Sequence, residues 1–366
     1  MSVLAVAPAA RELTEALGLA ARVADQARRA ERPVFATSVV EADAWVLGAL
    51  QRGARLPHAS GSVVHRFTTG TEARVLGPAL HHVLALPHAA ALFADGTPSN
   101  FINRNVRGLL RGYFGVGLTA SYFGRECLHL QRRPAGVLGL ESLAGGVLLL
   151  EALVGVLHPA PAAGRQPPAA LRPLLEALGS AWKHRSPLEI AERVHERALA
   201  AWGGAEPLEL ASMSGDTKDA QSVSDADSQS RELLVSDADS SLLFFGGWTA
   251  PRCGVGGGQP VSGAALEPSA QSVSGSVMAS IVDTDEAALD WRTREVPIGV
   301  LEAARAPSGA LLVRGDVLTS ASALARVARV FEASPSLTEA EALAALGEVP
   351  FEGARVSDLV SLLSGL

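Results

Sequence analysis

Residues 97–141 constrain the fold more than any other stretch of the chain, because they combine a helical pattern, a turn and short strand patterns. Apolar side chains recur at helical spacing over residues 105–114, with arginines elsewhere on the same turns, which indicates a helix with one buried face. Two glycines end this helix. Residues 118–122 and 128–131 then have the composition of two short strands around a Gly-Arg turn.

A second turn follows these strands. Arg132 and Arg133 precede a Pro-Ala-Gly sequence that ends at Gly136 and opens an apolar run over residues 137–157. Basic side chains that lead into a glycine-containing turn can hold an anionic group, because guanidinium donors and backbone N–H groups converge there. We therefore expect an anion site at this turn.

The order of these residues resembles the core of the biotin/lipoate protein ligase family, and its lipoate–protein ligase branch in particular. In that family an Asn-Arg pair opens a helix, and a Gly-Arg turn and a Lys-x-x-Gly turn follow. The matching residues here are Asn103-Arg104, Gly124-Arg125 and the turn from Arg133 to Gly136. Two positions depart from the pattern, because Arg133 replaces the family lysine and Glu126-Cys127 replaces an Asn-Asp pair.

Upstream of the helix, a loop is similar to the family's glycine-rich loop, Arg-Arg-x-Ser/Thr-Gly-Gly, which closes over the acyl adenylate. Arg66, Thr68 and Gly70 keep that pattern, while His65 replaces one arginine and Thr69 lies in the same loop. Glycine permits close backbone approach to a ligand, and hydroxyls supply adaptable hydrogen bonds. A hairpin loop without a ligand is the alternative interpretation.

The resemblance implies an α+β fold, with a mixed central sheet flanked by helices and a small α+β C-terminal domain. It implies Arg133 as the catalytic cation. It also implies an acyl-adenylate site, whose residues would be Arg66, Thr68, Thr69, Gly70, Asn103, Arg125 and Gly136. The implied cofactors are ATP, Mg²⁺ and lipoate or octanoate. The implied partner is a lipoyl carrier domain or a glycine-cleavage H-type protein.

Composition and the family resemblance together divide the chain into four parts. We expect an N-terminal helix within residues 1–33, starting near residue 9, and a ligase-like domain over residues 34–202. Residues 203–285 repeat Val-Ser-Asp-Ala-Asp-Ser and are rich in Ser, Asp and Gly, which is typical of a flexible linker. Residues 286–366 resemble the accessory domain of lipoate ligases, in which a Gly-Asp turn, here Gly315-Asp316, follows a strand.

Charge and composition exclude several classes of protein. The net charge of −7 argues against nucleic-acid binding, and two cysteines are too few for a disulfide framework. The longest apolar run is too short for a bilayer and contains Glu151, so a cytoplasmic protein is expected. His81 and His82 are adjacent on a predicted strand and would face opposite sides, so we expect no metal site there.

Three functions remain open from the sequence. The first is a lipoate or octanoate ligase that forms an acyl-AMP with ATP and transfers the acyl group to a lysine of a carrier domain. The second is a catalytically degenerate relative that acts as a binding or partner protein. The third is an octanoyl or lipoyl transferase that works through a thioester on Cys127 or Cys253. The sequence leaves the oligomeric state open.

Overall fold

A computed structural model describes most of the chain outside one long segment. The described residues are 2–52, 62–96, 101–122, 127–143, 146–161, 171–210, 289–296, 299–319, 321–346, 351–352, 354–364 and 366. The segment predicted as a linker therefore lies mostly outside the described residues, as do Gly124, Arg125 and Cys253.

A nine-stranded mixed sheet forms the centre of the larger domain. Its strands are β1 (Val3–Arg11), β2 (Val34–Leu47), β3 (Ser62–His65), β4 (Ala73–Leu86), β5 (Ala120–Tyr122), β6 (Cys127–Leu130), β7 (Arg133–Ser142), β8 (Leu148–Gly155) and β9 (Ala205–Pro207). The spatial order is β5-β6-β7-β8-β4-β2-β1-β9, and β3 also pairs with β2. The pairs β1–β2, β1–β9 and β2–β3 are parallel, and the others are antiparallel.

Helices cover both faces of this sheet. In the described part of this domain the α-helices are α1 (Leu13–Ala30), α2 (Phe101–Gly115), α3 (Leu174–Leu178) and α4 (Pro187–Ala201). Side chains of β4 alternate between two cores, because Leu80 and Leu84 pack with α2 and α4, whereas Val83 and Ala85 pack with α1. Both faces of β4 are thus buried, which explains why its last eight residues are all buried.

The start of α4 shows how local sequence fixes an element. Ser186 and Glu189 form the capping box that the sequence predicts, each side chain bonding to the other residue's backbone N–H at 3.2 and 2.9 Å. Pro187 follows at the first helical position, where its missing N–H is not needed.

The C-terminal domain has its own sheets, core and helices. Strands β10 (Arg292–Val296), β11 (Gly299–Arg305) and β12 (Leu311–Gly315) form an antiparallel sheet, and β13 (Leu318–Thr319) pairs with β14 (Phe351–Glu352). Helices α5 (Ala321–Ala333), α6 (Glu339–Leu346) and α7 (Val356–Leu363) complete it. The predicted fold class, α+β with a mixed central sheet and a small C-terminal α+β domain, is confirmed.

The N-terminal prediction is wrong in one respect. The helix expected from about residue 9 begins at Leu13, because residues 3–11 form β1 inside the central sheet. Residues 3–30 therefore form a strand and a helix of the larger domain. The alanines and proline of β1 hid its strand character, since alanine favours helices and proline is rare within strands. None of the described helices is long and apolar enough to cross a membrane.

Candidate functional site

The loop predicted to bind an acyl adenylate joins β3 to β4, and we call residues 66–71 the threonine loop. It lies against β7 of the same domain, through Leu138 and Leu140, and against β13 of the C-terminal domain, through Thr319. The threonine loop is therefore enclosed by two domains.

Arg66 organises this loop from inside. Its side chain is 1% exposed, and its Nε and Nη2 groups donate to the backbone carbonyls of Thr68, Thr69, Thr71 and Leu138 at 2.9–3.4 Å. Burial lowers the pKa of Arg66 to about 10, although the carboxylate of Glu151 opposes this shift. The guanidinium thus stays charged at neutral pH and is directed at its own backbone.

The two threonine side chains are also bonded within the protein. Both the backbone N–H and the hydroxyl of Thr68 donate to Glu151 Oε2, at 3.0 and 2.6 Å. The hydroxyl of Thr69 lies 2.8 Å from the carbonyl of Leu140 and 2.6 Å from that of Thr319, and it accepts the N–H of Thr319 at 3.1 Å. The hydrogen-bonding groups that would meet a ligand therefore have partners already.

Glycines allow the backbone segments around the loop to approach closely. A Cβ at Gly48 would lie 2.2 Å from the carbonyl oxygen of Gly70, and a Cβ at Gly139 would lie 2.0 Å from the hydroxyl oxygen of Thr68. Gly70 itself has φ +114°, which disfavours other residues. The glycines of this region thus serve packing between backbone segments.

Glu151 connects the threonine loop to the α1 face of the sheet. Its Oε1 lies 2.9 Å from His81 Nε2, and both side chains are buried. Burial raises the pKa of Glu151, but the hydrogen bond and charge of His81, with help from Thr68 and Arg66, outweigh burial and hold the pKa below its usual value. An ionised Glu151 can then accept from His81 and Thr68 together.

The C-terminal domain reaches the same region through Asp316, the residue of the predicted Gly-Asp turn. Gln51 donates through Nε2 to Asp316 and, at 2.7 Å, to Glu72, while its Oε1 accepts the N–H of Gly48 at 2.7 Å. Asp316 also accepts the N–H of Val300 at 2.7 Å. These contacts hold the Gly-Asp turn beside the threonine loop.

The other described residues that the sequence predicts for the site lie outside the loop. Arg133 is exposed at the first residue of β7, and the strand rise of about 3.3 Å per residue puts it roughly 16 Å along β7 from Leu138, where the loop makes contact. Asn103 is exposed on α2. Gly136 lies in β7 between Leu128 and Val154. The structure thus groups Arg66, Thr68, Thr69 and Gly70, and places Arg133 and Asn103 elsewhere.

A second polar cluster, which the sequence did not predict, lies on the opposite face of the sheet. Thr37 Oγ1 is 3.1 Å from His82 Nδ1 and 2.9 Å from His195 Nδ1, and His82 Nε2 is 2.9 Å from the hydroxyl of Tyr113. Burial lowers the pKa of His82 well below its usual value and that of His195 to about 4, so both are neutral at pH 7. The sequence feature that relates to this cluster is the His81-His82 pair, because the side chain of His82 belongs to the cluster.

This histidine cluster borders a cavity of about 10 Å³, which has room for about one water molecule. The lining residues are Phe35, His82, Leu84, Leu109, Leu150, Ala152 and Trp202. An acyl chain does not fit in this space.

The described residues of the threonine loop do not present free donors to an acyl adenylate in this arrangement. The loop hydroxyls and Arg66 are directed at protein atoms, as described above, and the described residues contain no group of three His, Cys, Asp or Glu side chains placed to hold an ion. Cys127, a candidate nucleophile, is 4% exposed within β6, and buried thiols are in general poorly reactive.

No family model matches this chain, and no curated protein matches it. Among solved structures, P. falciparum LipL1 in complex with lipoate has 10% identity and a TM-score of 0.40, and the match covers 55% of this chain and 60% of that chain. A lipoate-protein ligase A bound with ATP has 9% identity and a TM-score of 0.42, over 64% of this chain and 94% of that chain.

A bipartite lipoate protein ligase from Thermoplasma acidophilum, solved in a study that includes its E2 lipoyl domain, has 10% identity and a TM-score of 0.42, over 63% of this chain and 92% of that chain. Biotin protein ligases also match. These proteins belong to the family that the sequence resembles. At about one tenth identity and these TM-scores, the likeness concerns the fold alone and assigns no residue.

Proposed function

We propose that this chain is a ligase-fold protein that binds a lipoyl carrier domain without forming an acyl adenylate. One observation carries the proposal: Arg66, Thr68 and Thr69 are at most 1% exposed and direct their donors at protein acceptors. A nucleotide at this loop would have to displace those bonds and separate the loop from Thr319. Leaving a buried donor or acceptor unpaired costs about 1–3 kcal/mol per group, so several such losses disfavour occupancy.

The carrier domain, or an H-type protein, is the partner that the sequence resemblance implies. Docking a folded domain uses the outer surface of a protein and does not require an open threonine loop. The substitution of the family lysine by Arg133 agrees with loss of adenylation, because a planar guanidinium does not reproduce the compact charge of an ammonium group.

Two assays on the full chain test this proposal. We expect no lipoate- or octanoate-dependent exchange of pyrophosphate into ATP, with or without Mg²⁺, and saturable binding of a lipoyl domain by calorimetry. Arg133→Lys restores the family charge and serves as the matched variant. It should also give no exchange, since the threonine loop remains closed. Exchange by the wild-type chain, or failure to bind either the lipoyl domain or an H-type protein, would contradict the proposal.

An active lipoate or octanoate ligase is the second candidate, and the exposure of Arg133 favours it. In that function Arg133 would stabilise the developing negative charge while the acyl carboxylate attacks the α-phosphate of ATP to give acyl-AMP and pyrophosphate. A carrier lysine would then accept the acyl group and release AMP. The contacts between Thr69 and Thr319 would have to break first. Under this alternative, wild-type exchange is measurable and Arg133→Ala abolishes it.

A further inference from the structure

One face of α2 combines positive charge with an exposed aromatic ring. Arg107, Arg111 and Phe114 are exposed and follow each other at spacings of four and three residues, which places them along one line on the helix. Phe114 is 71% exposed. Full burial of a phenylalanine side chain contributes about 1.5–3 kcal/mol to stability or binding, so a partner that covered Phe114 would gain part of that free energy.

Arg197 of α4 extends this face. The two helices pack closely where α2 has glycines, and a Cβ at Gly115 would lie 2.5 Å from Arg197 Cγ. The aliphatic part of Arg197 therefore packs against the end of α2 at Gly115, the residue that follows Phe114 in sequence. We call Arg107, Arg111, Phe114 and Arg197 the basic stripe.

The charges of the basic stripe differ from those of other helical surfaces in the same domain. On α1, Arg28 and Arg29 pair with Asp25, and on α4, Arg193 pairs with Glu196. Helix α2 contains no acidic residue, and its exposed arginines repel one another at a spacing of four residues.

Within the part of the chain that the structure describes, Arg107, Arg111 and Arg197 form no ion pair. The whole chain has a net charge of −7, so the basic stripe is not a consequence of a basic composition. Concentrated positive charge beside an exposed aromatic ring is typical of protein interaction surfaces, in which Arg and Phe are enriched.

We propose that the basic stripe docks an acidic helix of a partner protein, one that presents carboxylates one helical turn apart beside an apolar recess. Arg107 and Arg111 are one turn apart on α2, and the 5.4 Å pitch of a facing helix would place its carboxylates in register with them. Phe114 would fill the recess, and Arg197 would add a third charge contact. This proposal does not depend on whether the chain forms an adenylate.

A protein partner agrees with these observations better than a nucleic acid does. Three exposed arginines make a small footprint, and the net negative charge of the chain repels a polyanion at long range. The test therefore uses an acidic peptide as its probe and anionic vesicles as the competing case.

The probe is a fluorescent, 21-residue helical peptide with glutamates four residues apart next to a leucine stripe, and a peptide with lysines in place of the glutamates is its control. Binding to the full chain is measured by fluorescence anisotropy at low and at moderate salt. We expect the glutamate peptide to bind and the lysine peptide not to bind. Arg107→Glu with Arg111→Glu should weaken binding about 10-fold or more at low salt.

Phe114→Ser should weaken binding about 3- to 10-fold at both salt concentrations, because an apolar contact is not screened. Arg28→Glu with Arg29→Glu on α1 makes the same change of charge elsewhere and should alter binding less than about twofold. Thermal unfolding checks that each variant is folded.

If the α1 control variant weakened peptide binding as much as the stripe variant, binding would depend on net charge alone, and the proposal would be overturned. Failure of the full chain to bind the glutamate peptide would overturn it as well, whether the chain's own acidic residues cover the stripe or no site exists. The chain could instead bind phosphatidylserine vesicles tightly, in competition with the peptide and only while the basic stripe is intact. That result would overturn the proposal and show that the basic stripe binds membranes.

Discussion

At the scale of single residues, the histidine cluster shows how a buried network fixes protonation. The hydroxyl of Thr37 has one proton, so it donates to one imidazole and accepts from the other. If the Tyr113 hydroxyl donates to His82 Nε2, then His82 donates through Nδ1 to Thr37, and Thr37 donates to His195. With this direction, each of the three hydrogen bonds in the cluster has one donor and one acceptor.

Protonation of His195 should destabilise the protein in acid. Its pKa is lowered to about 4 in the folded state, below the usual value of 6.5, so the unfolded chain binds more protons between these values. The stability that neutral His195 contributes is complete above about pH 6.5 and is lost as pH falls towards 4. We expect His195 alone to lower the free energy of unfolding by about 2 kcal/mol between pH 8 and 5, and His82, whose pKa is also lowered by burial, to add to this loss.

Urea unfolding at a series of pH values measures this loss. His195→Asn should reduce the pH dependence over this range, and the same change at His184, which is exposed on the surface, is the comparison variant. An unchanged pH dependence in His195→Asn would show that another group is responsible.

The sequence located the residues of the threonine loop but not their orientation. Arg66 was predicted to face a ligand from its place in a motif, yet its guanidinium is directed at Thr69, Thr71 and Leu138. The direction of a side chain depends on what is packed over it, and Leu138 is 72 residues away in sequence. For the same reason the contact between Thr37 and His195, 158 residues apart, could not be predicted from local patterns.

At the scale of secondary-structure elements, the end of β2 and the threonine loop touch backbone to backbone. Replacing Gly48 by alanine would put a Cβ 2.2 Å from the Gly70 carbonyl, which neither backbone can avoid without moving. We expect Gly48→Ala to lower the free energy of unfolding by about 2 kcal/mol or more.

Gly18 provides the matched control for Gly48→Ala. It lies exposed within α1 and has no atom within 4 Å of its Cβ position, so Gly18→Ala should stabilise the protein by about 0.5–1 kcal/mol. Chemical denaturation measures the free energy of unfolding of both variants. Equal effects would mean that the close approach at Gly48 is unimportant.

Elements with strong local patterns were predictable, and those that depend on distant pairing were not. Helix α7 was predicted with its observed bounds, Val356–Leu363, because its apolar spacing is regular. Strands β13 and β14 have two residues each and pair residues that are 34 and 32 positions apart in sequence, Leu318 with Glu352 and Thr319 with Phe351. A strand of two residues is too short to show an alternation of apolar and polar side chains, so these strands could not be predicted from the sequence.

At the scale of the whole molecule, the two domains meet at the threonine loop. Thr69 forms hydrogen bonds with the backbone of Thr319, and Gln51 forms one with Asp316. The threonine loop is therefore covered by the C-terminal domain on one side and by β7 of the larger domain on the other. Arg52 adds an ion pair with Glu302 at 3.2 Å. The closed loop is thus a property of both domains together, and it is the basis for proposing a binding protein instead of an adenylating enzyme.

Hydrogen–deuterium exchange of the threonine loop tests this closure most directly. The N–H groups of Thr68 and Thr69 donate to Glu151 and to the carbonyl of Leu140, so the full chain should protect the peptide that contains them about as strongly as the β4 core. Adding ATP, Mg²⁺ and lipoate should leave that protection unchanged. Rapid exchange of the loop in the free protein, together with new protection when the three ligands are added, would contradict the account.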